Sequence, residues 1–171
     1  INPEERMRID ATGRLLLGTT TEGIVNADDL TVASSGHTGV TIRSGTSSQG
    51  NIFFADGTSG TDEYKGYFQY LHANNALLIG TDATERLRID SSGKVGIGTS
   101  SPQENLHILS SSGSSRIRMT SADGSDNMIV FGDTSDQATG AIRFDHSDNS
   151  LALFGFNNSC LLYTSDAADD Q

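Results

Sequence analysis

The chain contains very little cysteine or proline and no tryptophan. Among its 171 residues are one Cys, two Pro and no Trp. A lone cysteine cannot form a disulfide within the chain, which excludes a disulfide-stapled scaffold. No run of hydrophobic residues approaches the roughly 18–20 that cross a bilayer as a helix, so we expect no membrane insertion.

Positive charge is also scarce. The 11 basic residues are outnumbered by 22 acidic ones, which gives a net charge of −11. Nucleic-acid binding requires a basic face, and none is visible, so we expect no nucleic-acid partner. What is abundant is glycine, together with Ser, Thr, Asp and Asn, while hydrophobic residues make up only 35%. This composition is typical of many short strands joined by turns.

One segment occurs twice, 80 positions apart. Residues 5–20 read ERMRIDATGRLLLGTT, and residues 85–100 read ERLRIDSSGKVGIGTS, with eight identical positions. A second related pair is GYFQYLHANNALLI at 66–79 and GAIRFDHSDNSLAL at 140–153. The matched positions in this second pair include Gly66 and Gly140, His72 and His146, and Asn75 and Asn149.

The repeat predicts two tandem units of about 80 residues, a period too long for a typical solenoid repeat. We assign residues 1–84 to the first unit and residues 85–159 to the second. We expect the first to be truncated at its N-terminus and the second at its C-terminus.

The last twelve residues break the pattern. Residues 160–171 read CLLYTSDAADDQ, contain the only cysteine, Cys160, and match no part of the repeat. They resemble the conceptual translation of a transposase adapter used to prepare sequencing libraries. We interpret this segment as a non-biological tail and exclude it from the fold argument.

Short alternating segments predict strands. In RLRID at 86–90 the leucine and isoleucine share one face, and the arginines share the other. Gly13 and Gly93 occupy the turn position that needs a positive φ, and Asn75 and Asn149 are the non-glycine residues that best tolerate it. No segment keeps a helical period, so we expect an all-β fold of small antiparallel meander or sandwich-like units.

Glycines alternate with β-branched residues in VGIG at 95–98. A strand face made of glycine has no side chains to pack, so we expect Gly96 and Gly98 to lie where another backbone or chain approaches closely, as at the axis of a multi-chain fibre. A phosphate-binding loop is excluded, because neither a helix-opening glycine pattern nor a Lys-Ser/Thr pair follows. The first copy has Leu16 in place of Gly96, so glycine is not obligatory there.

In combination, the motifs ERxRIDssGxVGIGTssPxxxLHI and GxIxFxHxxNxLxL resemble repeats in the tail fibres of tailed phages, particularly those from marine metagenomes. The resemblance covers residues 1–158, and the first copy departs from it at LLLG and EGIVNADD. It implies an elongated, β-rich homotrimer in the virion, which contacts adjoining fibre segments, the tail, and a host surface glycan or protein.

No catalytic or metal-binding pattern stands out. We expect His72 and His146 to form hydrogen bonds or to cap the Asn turns; a metal held by three copies at a trimer axis is the alternative. Acidic turns at 122–127, 133–137 and 145–149 do not follow the Asp-x-Asp-x-Asn-Gly pattern of calcium loops, so we expect them to be solvated.

The arginine pairs of the two copies are expected to form cross-strand or cross-subunit ion pairs, with sulfated or phosphorylated glycan binding as the alternative. These arginines are Arg6, Arg8, Arg86 and Arg88. Side chains on the alternating apolar strand positions are expected to pack in the core, with sugar stacking as the alternative. These positions are Phe68, Tyr70, Ile142 and Phe144.

Glycan hydrolysis requires two carboxylates about 5–10 Å apart across a cleft. The nearby acids Asp133, Asp136, Asp145 and Asp148 have no recurring counterpart pair in the first copy, so we expect no catalytic residues, no cofactor and no enzymatic activity. The expected function is a structural segment of a phage tail fibre that supports host attachment. The alternatives are a fragment of a glycan-degrading tailspike and a bacterial surface adhesin.

Overall fold

The computed structural model describes residues 5–135 and 139–155, which fold almost entirely into β-structure. The strands are β1 (Met7–Ile9), β2 (Leu15–Leu17), β3 (Leu30–Val32), β4 (Gln49–Phe54), β5 (Gly66–Leu71), β6 (Ala76–Thr81), β7 (Thr84–Ile89), β8 (Val95–Ile97), β9 (Leu106–Ile108), β10 (Asn127–Phe131), β11 (Gly140–Asp145) and β12 (Ser150–Phe154). A 3-10 helix, Gly60–Tyr64, lies between β4 and β5, and the described residues include no α-helix. The predicted all-β class is confirmed. The tail at 160–171 lies outside the described residues.

The strands form three sheets, with orders β1-β2-β3, β4-β5-β6-β7-β8-β9 and β10-β11-β12. Most neighbours are antiparallel, but β2 pairs with β3, and β8 with β9, in parallel. At these two places the sheets depart from the antiparallel meander that the sequence predicts. A parallel neighbour requires a crossover, and residues 18–29 and 98–105 supply it in the two copies.

The strand order follows the sequence repeat, since β1 to β6 of the first copy correspond to β7 to β12 of the second. The turn Asp82–Ala83 joins β6 to β7, and both of its residues have positive φ, 51° and 53°, which is typical of a type I′ hairpin. The central sheet is therefore continuous across the unit boundary that the sequence placed at 84/85. The chain divides into two compact units after Gly113, so the sequence period and the structural units have different boundaries.

The turn residues adopt the backbone conformations that the sequence predicts. Gly13 and Gly93 have φ of 90° and 80°, and an added Cβ at either would meet nothing within 4 Å. Asn75 and Asn149 have φ of 47° and 59°. Glycine is thus required at 13 and 93 by backbone conformation rather than by space.

Few hydrophobic residues are buried in the described part of the chain. They are Leu16 in the first sheet, Tyr67, Ala76 and Leu78 in the central sheet, and Ala141 in the third. Those of the central sheet occupy alternate positions on β5 and β6, which places all three on one face. On the other face of that sheet, Ile52 and Phe68 remain about half exposed.

Candidate interaction surface

One face of the central sheet is apolar and exposed. Its middle row is Ile52, Phe68 and Ile79, which lie opposite one another on β4, β5 and β6. Phe68 is 46% exposed and Ile52 is 52% exposed. We call this surface the apolar face; its other members include Phe54, Tyr70, Leu77, Leu87, Ile89 and Ile97.

The third sheet repeats this face. Ile129, Ile142 and Leu153 form the corresponding row on β10, β11 and β12. They are 47%, 37% and 37% exposed. Two copies of one sequence pattern thus leave the same row of hydrophobic side chains partly exposed, which points to a shared requirement rather than to a local packing defect.

The buried face of the central sheet is organised around Tyr67. Its ring lies against the backbone of Gly80, the residue opposite on β6, where an added Cβ would come within 2.1 Å of the ring. In the second copy, Ala141 lies opposite Phe154 in the register of β11 and β12. The expectation that Phe68 packs in the core is wrong for the single chain. The buried side chains of the central sheet lie on its other face, around Tyr67.

Glycines at the start of β5 and β11 each face a phenylalanine. Gly66 lies opposite Phe54, and Gly140 opposite Phe131. An added Cβ at Gly66 would lie 3.3 Å from the Phe54 ring. The Gly66 position is therefore restricted by an aromatic neighbour, which the sequence repeat alone did not reveal.

The two repeat histidines pack on the aromatic side chains two residues earlier. The rings of Tyr70 and His72 are 5.0 Å apart, and those of Phe144 and His146 are 4.9 Å apart, both edge to face. His146 Nε2 also lies 2.6 Å from Nδ2 of Asn127 on β10. The period-two alternation of strands could have indicated these ring contacts.

Aspartate side chains organise the first turn of each copy. Asp10 Oδ1 accepts hydrogen bonds from the main-chain amides of Thr12, at 2.9 Å, and Arg14, at 3.1 Å. Asp90 makes the two equivalent contacts in the second copy. The hydrogen bond from the Thr12 hydroxyl contributes most to holding the pKa of Asp10 well below its usual range.

Gly96 and Gly98 are explained by the chain's own backbone. An added Cβ at Gly96 would lie 2.5 Å from the Thr99 carbonyl oxygen, and one at Gly98 would lie 2.2 Å from the Leu109 carbonyl oxygen. Gly98 also has a φ of 73°. The close backbone approach that the sequence predicts is therefore made by the chain's own crossover after β8 and by the residue after β9, and it needs no second chain.

Arginines of the repeat pair along the strand rather than across it. Arg88 donates two hydrogen bonds to Glu85, both at 2.8 Å, and Arg8 pairs with Glu5 in the same way. The cross-strand alternative predicted for Arg8 and Arg88 is therefore wrong, and the cross-subunit alternative stays a prediction. A bulge in the β6–β7 pairing leaves Arg86 without an opposite residue, which brings Glu85 and Arg88 to the same face.

The acidic turns hold their own backbone. Asp133, Asp145 and Asp148 each accept a hydrogen bond from the main-chain amide two residues later. Asp136 lies outside the described residues. Within 5–135 and 139–155, no three His, Cys, Asp or Glu side chains form a group that could hold a metal ion.

No helix within the described residues has the length and hydrophobicity to cross a membrane. No family model matches the chain, and no curated protein sequence matches it significantly.

Proposed function

We propose that the chain is a structural, non-enzymatic segment of a phage tail fibre, assembled as a homotrimer and supporting attachment of the virion to a host surface. The support is the resemblance of its two repeat copies to tail-fibre repeats, combined with an apolar face that each copy exposes. Adjoining fibre segments and the tail would be its neighbours, and a host glycan or protein its target.

The recurring apolar face carries the proposal. Fully burying one large hydrophobic side chain contributes about 1.5–3 kcal/mol. The rows containing Phe68 and Ile142 include several such side chains that the single chain leaves exposed. Three identical chains around one axis would bury equivalent rows against each other and offset the small core of each.

Two segments outside the strands also favour an assembly. Residues 37–45 and 114–120 occur between the third and fourth strands of each copy and belong to no strand. Val40 in the first is 73% exposed, and Ile117 in the second is 70% exposed. Exposed hydrophobic side chains on these segments are expected to contact a neighbouring chain.

The acidic turns favour a structural role over glycan cleavage. A glycosidase needs two carboxylates free to act on substrate across a cleft. Asp145 accepts from both the amide and the hydroxyl of Ser147, and Asp148 accepts from the amide of Ser150. These carboxylates stabilise turns, so a tailspike activity gains no support from them.

Sedimentation equilibrium of the purified chain tests the assembly. We expect a mass three times the 18.1 kDa of the chain. Phe68→Asp should shift the equilibrium to monomers, because a charge on the apolar face is costly to bury. Phe53→Asp is the matched control, since Phe53 is also 46% exposed but lies on the opposite face. A folded wild-type monomer would refute the trimer.

The gene neighbourhood on the parent contig tests the phage assignment. Neighbouring tail genes would support a fibre, whereas a secretion system beside the gene would favour a bacterial adhesin. Cleavage of a host glycan by the purified full fibre would instead support the tailspike alternative and contradict a non-enzymatic role.

A further inference from the structure

A small cavity opens on the apolar face of the first copy, beside Gly50 near the start of β4. Its volume is about 280 Å³, close to the lower end of the range for small-molecule sites. We call this cavity the Gly50 pocket. Its walls are mainly apolar and include Ile52, Phe68, Tyr70, Leu77 and His72.

The second copy has an asparagine where the first has Gly50. Gly50 lies opposite Tyr70 in the register of β4 and β5. Asn127 lies opposite Phe144, the counterpart of Tyr70, in the register of β10 and β11. Residues that lie opposite each other in a sheet direct their side chains to the same face. The second copy therefore has a carboxamide side chain at the position that the glycine leaves open in the first copy.

The carboxamide of Asn127 lies between two hydrogen-bond acceptors. Its Nδ2 is 2.6 Å from Nε2 of His146 and 3.2 Å from Oγ of Ser121. An amide nitrogen donates and does not accept, so each partner receives one of its two hydrogens. The second copy thus shows which chemical group fits between this histidine and this serine.

Both acceptors recur in the first copy, where no asparagine lies between them. By the repeat, His72 corresponds to His146, and Ser44 corresponds to Ser121, six residues before the glycine or asparagine. An added Cβ at Gly50 would lie 3.9 Å from Ser44 Oγ, so this hydroxyl borders the pocket.

The Ser44 hydroxyl is itself incomplete. Its oxygen is buried and has no hydrogen-bond partner among the residues that the structure describes. A buried polar atom without a partner is costly, and a donor bound in the pocket would remove that cost.

We propose that the Gly50 pocket binds a small apolar molecule that ends in a primary carboxamide. The amide nitrogen donates one hydrogen to His72 and the other to Ser44, as the asparagine does in the second copy, and the apolar body packs on Phe68 and Ile52. A water takes about 30 Å³ of liquid volume, so the pocket has room for roughly nine water-sized groups, about the size of benzamide.

The inference comes from the geometry of the single chain and does not rest on the proposed function. Ile52 and Phe68 line the pocket and also belong to the middle row of the apolar face. A bound ligand and a neighbouring copy would therefore compete for this part of the face.

Ligand-observed NMR with benzamide as the probe tests the pocket on the purified chain. We expect saturable binding of benzamide and none of N,N-dimethylbenzamide, which has the same ring but no N–H to donate. Gly50→Asn should abolish benzamide binding, because its own carboxamide would take the place between the serine and the histidine. Gly39→Asn is the matched control and should bind as wild type does, since an added Cβ there meets nothing within 4 Å and φ is not positive.

Ser44→Ala separates hydrogen bonding from simple burial of the ring. It removes one acceptor and should weaken benzamide binding several-fold. Ser121→Ala, the equivalent change in the second copy, should leave the affinity unchanged. The proposal would be overturned by the absence of saturable benzamide binding, by equal binding of the two amides, or by unchanged binding in Gly50→Asn.

Sedimentation equilibrium during the same titration keeps this test separate from that of the trimer. We expect benzamide to lower the sedimenting mass of the assembled chain. A monomer that binds benzamide would refute the trimer and support the pocket, whereas a trimer that binds none would do the reverse.

Discussion

Leu16 is the most completely buried large side chain among the described residues, with 1% exposure at the centre of β2. Leu16→Ala removes three carbon groups from this site, a loss of roughly 2.4 kcal/mol of transfer free energy at about 0.8 kcal/mol per group. The residual cavity adds to this loss, so we expect a decrease of about 3 kcal/mol in the unfolding free energy.

The same repeat position has the opposite requirement in the second copy. At Gly96, an added Cβ would lie 2.5 Å from a backbone oxygen, so Gly96→Ala forces the crossover at 99–102 to move. Overpacking of this kind costs about 1–3 kcal/mol. The first copy has a longer crossover, residues 18–29, and this accompanies the larger side chain at Leu16.

Urea unfolding followed by circular dichroism measures both variants. The control is Gly39→Ala, because an added Cβ there meets nothing within 4 Å and φ is not positive. We expect little change or a small gain from it. If Leu16→Ala and Gly96→Ala were as stable as wild type, the burial argument for this repeat position would be refuted.

Three further results are expected. Ala83→Gly should raise the unfolding free energy by about 0.5–1 kcal/mol, because Ala83 has a φ of 53°, which glycine adopts without strain. The control is Ala73→Gly, at a turn residue whose φ is not positive, and it should not raise the unfolding free energy. Equal effects of the two substitutions would contradict the explanation. Hydrogen bonds from the hydroxyl two residues later are the first cause that lowers the pKa of Asp10 and Asp145. The stabilisation from these two carboxylates is therefore present above the unfolded pKa, about 3.9, and is lost as pH falls through the lower folded pKa. Thermal melts should show a loss of stability in acid that is smaller for Asp10→Asn. An unchanged acid profile in that variant would count against a stabilising role of the Asp10 carboxylate. Excess EDTA should leave the melting temperature unchanged, and a clear decrease would reveal a structural metal.

The turns could be predicted because their signals are local. Gly13 and Gly93 follow a strand and an aspartate, and the backbone conformation that a hairpin needs there is available mainly to glycine. Asn75 and Asn149 follow the same reasoning. The strands were predictable in the same way, because alternation with period two requires only neighbouring residues.

Long-range packing was not predictable from these patterns. Alternation separates Tyr67 from Phe68 but does not determine which of them the single chain buries. The parallel neighbours β3 and β9 follow crossovers whose sequences carry no signal for the direction of pairing. The role of Gly96 depends on Thr99, which approaches it only once the crossover has folded.

Hydroxyl-radical footprinting of the assembled chain tests the central claim, that three copies cover the apolar face. Phe68 and Phe53 have equal exposure in the single chain, 46%, on opposite faces of the same sheet. Phe68 is expected to be protected from oxidation in the assembly, while Phe53 stays reactive. Equal oxidation of the two rings in the native protein would contradict it.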